Sequence, residues 1–115
     1  MPDAQERIKK GERAPFFGRE TLGAGTTLTI QGTAKCTLYD SAGVAVTDFS
    51  AINCTAQTSG ASETVTVVYD LDTDASAIVA GQTYTMVFDF TTLGSDSYTR
   101  EHHPSVSIYI EPVTS

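Results

Sequence analysis

Three carboxylates stand at alternate positions in Asp70-Leu71-Asp72-Thr73-Asp74, the way a calcium loop begins. Such a loop needs Gly at its sixth position and a bidentate Glu at its twelfth. Those positions hold Ala75 and Gly81, which excludes the helix–loop–helix site. A looser cation site at a sandwich end stays open, since clustered carboxylates repel unless solvated or bridged; the ordinary reading is a solvated acidic loop. Arg100-Glu101-His102-His103-Pro104 invites a metal reading in turn. Two histidines are too few for stable zinc, and in extended backbone adjacent side chains point to opposite faces. Pro104 favours an extended, non-central place for His103, so the segment reads as a polar turn or contact surface.

Nothing else in the chain selects a chemistry. It contains no GxSxG elbow, phosphate-cradling glycine loop or HExxH, the patterns that would place a nucleophile, a nucleotide or a zinc ion. No spacing picks an acid/base pair from the many aspartates. No residue is therefore expected to serve as a catalyst, a cofactor contact or a metal ligand, and the chain is read as non-enzymatic. Cys36 and Cys54 show no CxxC or Cys/His spacing. The chain begins at Met1 without an apolar leader and has no run of membrane-spanning length, so a cytosolic origin with reduced thiols is expected. Two free core cysteines are the main reading, and a Cys36–Cys54 bridge the lesser one. The glycosylation sequon at Asn53-Cys54-Thr55 then carries little meaning.

The 115 residues, 40% hydrophobic and 18% charged, describe one globular domain. Residues 1–20 carry five basic and four acidic groups, net +1; the remainder carries two basic and ten acidic, net −8, and together they make the chain's −7. An acidic body repels phosphate, so nucleic acid is not an expected partner.

From about residue 24 apolar and polar residues alternate. Leu28 and Ile30 share a face, as do Ala34, Cys36 and Leu38. So do Ile52, Cys54 and Ala56; Val65, Val67, Tyr69 and Leu71; Tyr84, Met86, Phe88 and Phe90; and Val106, Ile108 and Ile110. Period-two patterning predicts half-buried antiparallel strands, and turn residues every few positions predict a β-sandwich. Asp40-Ser41-Ala42-Gly43 marks a hairpin into Val44-Ala45-Val46. Asp74 to Gly81 is the one helical candidate, a single capped turn. Tyr84, just after Gly81 at the start of a long strand, resembles the tyrosine corner of immunoglobulin-like sandwiches.

Residues 1–23 differ in character. Charges at 6, 7, 9, 10, 12 and 13 interrupt any apolar stripe, and Gly11, Pro15, Gly18 and Gly23 break the rest. The chain is thus divided into an N-terminal docking arm (1–23), a sandwich (24–113) and a short tail (114–115). Arginines and aromatics are enriched at interface hot spots, so Arg7, Lys9, Lys10, Arg13, Phe16, Phe17 and Arg19 are the expected partner contacts. A net-positive arm would match the acidic body of an identical neighbour.

Three motifs carry a resemblance: the hairpin from Asp40 to Val46, of the form D-(S/P)-x-G-x-x-V; the crossing A-G-x-x-Y-x-x-x-F from Ala80 to Phe88; and the closing Y-I-E-P from Tyr109 to Pro112. Over residues 24–113 the chain resembles the small immunoglobulin-like virion proteins of tailed bacteriophages, found as head decoration, neck or connector, and upper-baseplate domains. The likeness implies an all-β fold, an immunoglobulin-like β-sandwich of seven to eight short antiparallel strands; the extended N-terminal arm, read from charge and breakers, has no counterpart in it. The likeness also implies a structural role on the capsid or at the head–tail neck, and assembly in the bacterial host cytoplasm with other virion proteins and copies of itself. It transfers no catalytic residue, cofactor or membrane partner. The alternative is a carbohydrate- or surface-binding, adhesin-like module, for which Tyr39, Tyr98 and Tyr109 are the outward aromatics.

Overall fold

Alternating Thr and apolar residues do form strands throughout. The computed structural model describes residues 6–23, 25–58 and 63–113. Among them lie nine strands: β1 (Glu6–Lys9), β2 (Arg13–Thr21), β3 (Leu28–Tyr39), β4 (Ile52–Asn53), β5 (Ala56–Thr58), β6 (Thr64–Asp72), β7 (Thr83–Gly94), β8 (Thr99–His102) and β9 (Ser105–Glu111). One sheet runs β1-β9-β7-β3-β4, with β8 also on β7; the other runs β2-β6-β5. The two share one core. Phe16, Val65, Val67 and Leu71 from the smaller sheet join Leu28, Cys36, Leu38, Met86, Phe88, Ile108 and Ile110 from the larger.

The patterning from residue 28 onward is realised along the long strands, whereas of the face expected at Ile52, Cys54 and Ala56 the first two are partly buried and Ala56 is exposed. Leu28, Ile30, Ala34, Cys36 and Leu38 are buried along β3, and Tyr84, Met86, Phe88 and Phe90 along β7. The two strands lie antiparallel, with a register shift between Gln31 and Lys35. Gly32 turns there with φ 74. Gln57 of β5 clamps the irregularity, its Oε1 accepting from Ala34 N at 2.8 Å and its Nε2 donating to Gly32 O at 2.9 Å. Asp40 closes the expected hairpin, its Oδ1 accepting from Ala42 N and Val44 N. The tyrosine corner also forms: the Tyr84 hydroxyl accepts from Val79 N at 2.9 Å, pinning the β6–β7 crossing.

Four expectations need correction. The strands are not all short, since β3 and β7 each run twelve residues. Nor are they all antiparallel: β1 lies parallel to β9, Glu6 beside Ile108 and Ile8 beside Ile110. The turn at 74–81 does not become a helix. Lys10 gathers its carbonyls instead, Nζ donating to Thr73 O, Ala75 O and Ile78 O at 2.6, 2.9 and 2.6 Å. The largest correction concerns the arm. Residues 6–9 and 13–21 are strands of the two sheets, β2 pairing with β6 from Arg13↔Asp72 to Thr21↔Thr64. Ile8 and Phe16 are both 6% exposed. The stretch is held by its own domain because Ala14, Phe16 and Gly18 alternate inward, a face too small to stand out as apolar. Gly18 is required for this. A Cβ there would lie 2.7 Å from the Phe88 ring across the core.

Candidate docking surface

β2 is an edge strand, and its parity decides what it offers. Backbone bonds from Leu22 N to Glu63 O and from Thr73 N to Glu12 O bracket the β2–β6 ladder. In an antiparallel pair, bonding alternates residue by residue. Even-numbered residues of β2 therefore bond β6, and the amides and carbonyls of Arg13, Pro15, Phe17, Arg19 and Thr21 point away. Pro15 sits where its missing N–H costs no ladder bond, the position an edge strand tolerates. The side chains of the same residues are exposed.

Beside this edge a depression of about 260 Å³ opens between β1, β2 and β9, lined by Arg7, Pro15, Phe16, Phe17, Arg19 and Val106, with Glu6 the one carboxylate on its wall. Phe17 is 44% exposed. The Arg19 guanidinium lies 4.8 Å from its ring centre, and among the described residues no carboxylate pairs with it. Arg7 lies 5.2 Å from the Tyr109 ring centre and 3.6 Å from the Glu111 carboxylate. Exposed pairs of this kind contribute little and leave the guanidinium exchangeable.

Of the seven expected contacts, Arg7, Phe17 and Arg19 converge here with exposed side chains, and the buried Phe16 lines the floor. Arg13 points from the same strand but reaches Asp70 at 3.5 Å. Lys9 is exposed at the end of β1. Phe16 and Lys10 are corrections: Phe16 is core, and the Lys10 ammonium is spent on three loop carbonyls. Val106 was missed. It packs partly buried against the core, on the face its alternation predicts, and also reaches the depression, which alternation alone does not disclose.

The other candidates do not assemble. Asp70 turns to Arg13, and Asp72 Oδ1 accepts from Asp74 N at 3.0 Å. No three metal-ligating side chains gather among the described residues. The histidines diverge as extended backbone requires. His102 stacks on Phe90 at 5.1 Å and is hydrogen-bonded to Thr92 Oγ1 at 2.8 Å, whereas His103 Nδ1 meets Asp89 Oδ1 at 2.6 Å. Tyr98 follows the far end of β7 from Tyr39 and Tyr109, so the three form no stacking platform. Cys36 and Cys54 are free thiols. Their mutual hydrogen bond pushes Cys36 above the ordinary thiol range and pulls Cys54 below it. A second depression, about 520 Å³, lies by the Asp40 hairpin and Val79. Its one carboxylate, Asp40, is engaged by the turn.

Fold and surface together define an all-β protein of two facing sheets with a basic, aromatic edge. No protein-family model matches the chain, and neither a curated protein nor a solved structure matches it.

Proposed function

We propose that the chain is an immunoglobulin-like β-sandwich serving as a non-enzymatic structural component of a tailed-phage particle. Its place is the capsid, as a decoration or cement protein, or the head–tail neck. Strand order supports the fold assignment. β2, β6 and β5 occupy the places of strands B, E and D; β3, β7 and β9 those of C, F and G; Tyr84 forms the corner at the start of F. The single observation that carries the role is the contrast between a basic, aromatic edge and an acidic body. Arg7, Phe17 and Arg19 meet at one depression, while residues 21–115 carry net −8. Such a subunit lays its positive edge on the acidic flank of a neighbour, a second copy or another virion protein, and the charge match sets orientation and register. Free thiols suit assembly in a reducing bacterial cytoplasm.

Particles produced from the genome that encodes the chain test this. Quantitative mass spectrometry of gradient-purified particles should recover the chain as a stoichiometric subunit. Arg19→Glu copies should drop out of the particle while melting like the parent. Recovery of the parent chain in the soluble fraction alone would refute the role.

A further inference from the structure

We infer that the free edge of β2 takes an extended, acidic segment of a partner protein as an added strand. The inference names the partner chemistry of the docking surface above and rests on that reading only for the partner being a protein.

Geometry supplies the first half. Among the described residues β2 pairs with β6 alone. Its outward carbonyls at Arg13, Pro15, Phe17, Arg19 and Thr21, and its outward amides at all of these but Pro15, form an unused ladder. Unpaired edges are templates for a further strand. β2 runs nine residues, against four each for β1 and β8, three for β5 and two for β4, so among the described strands it offers the longest edge for a ladder. The depression along it offers Phe17 and Val106 to an apolar side chain of the incoming segment.

Charge supplies the second half, and it decides between occupants. Antiparallel pairing of β2 with its own copy, centred on Phe17, would set Arg13 opposite Thr21 and Arg19 opposite Pro15, with the arginines of the two chains as diagonal neighbours on one sheet face. That arrangement gathers four guanidiniums on one face and gives none of them a carboxylate across the strands, where opposite-charge pairs would stabilise the ladder. A segment with carboxylates at alternate positions does the opposite. It meets Arg19, which has no carboxylate partner among the described residues, and competes for Arg7 and Arg13, whose existing pairs are long and exposed. Bidentate guanidinium–carboxylate bonds then fix the register.

The test uses the full chain, isotope-labelled, and two blocked peptides as long as β2, nine residues: one alternates Glu and Val, the other Lys and Val. Addition of the Glu peptide should shift the amide resonances of Phe17 and Arg19 and slow their exchange. The amides of Phe16 and Gly18, already bonded to β6, should keep their protection. Arg19→Glu should weaken binding about tenfold. Phe17→Pro removes an outward amide but no bond to β6, and should abolish the new protection. Equal binding of the Lys peptide, shifts centred elsewhere, or no binding of the Glu peptide would each overturn the inference. The readouts stay separable. Particle incorporation without peptide binding refutes the added strand alone, and peptide binding without incorporation refutes the virion role alone.

Discussion

Gly18 shows how much one absent side chain can decide. The Phe88 ring occupies the space a Cβ would need, 2.7 Å away, so β2 approaches β7 only because residue 18 has no side chain. Gly18→Ala should destabilise the domain by about 1–3 kcal/mol, the usual cost of overpacking a filled core, in urea denaturation. Adding Phe88→Leu should recover part of the loss. The cysteine pair makes a second residue-scale prediction. Cys36 is 1% exposed and donates to Cys54, whose thiolate that bond stabilises. Thiolate is the reactive form. Iodoacetamide at neutral pH should modify Cys54 first, and Cys36 only after unfolding, as mapped by peptide mass spectrometry. First modification at Cys36 would contradict the arrangement.

Among the elements, β2 was the hard one to read and β7 the easy one. In β7 the inward residues from Tyr84 to Phe90 are all large and apolar and every outward one of the strand is Thr, Asp, Val or Leu, so the period is audible. In β2 the inward set is Ala14, Phe16 and Gly18 and the outward set includes Pro15 and Phe17. Pro and Gly read as breakers, and two adjacent phenylalanines erase the alternation. The usable signal was Phe16 flanked by two small residues at i±2, which marks an inward face pressed against something bulky. The β7–β8 hairpin makes a pH prediction. Asp96 accepts from Arg100 Nη2 at 2.7 Å, and Tyr98 N also donates to it. The guanidinium first, then the backbone amide, hold its carboxyl below the ordinary range. A depressed carboxylate adds stability above its unfolded-state pKa, which is lost as pH falls through the folded one. Asp96→Asn should therefore melt below the parent at neutral pH and with it in acid, by calorimetry.

For the whole molecule, the N-terminal strands close both sheets rather than lead out of them. Removing residues 1–20 strips Ile8 and Phe16 from the core and an edge strand from each sheet. The truncated chain should lose its cooperative thermal transition, whereas Arg7→Ala and Arg19→Ala should stay within about 0.5 kcal/mol of the parent. A truncated chain that melts as the parent does would return the segment to the status of an arm. The sequence by itself determined the all-β class, the inward faces of β3, β6 and β7, the Asp40 hairpin and the Tyr84 corner, because each is a local pattern of period or turn chemistry. Only the tertiary structure decided that the first described strand runs parallel to the last, that Lys10 ties down the 73–78 turn, and that four of seven suspected contact residues line one depression. Those are pairings between residues far apart in the chain, and an alternation pattern says which face a residue takes but not which strand lies beside it.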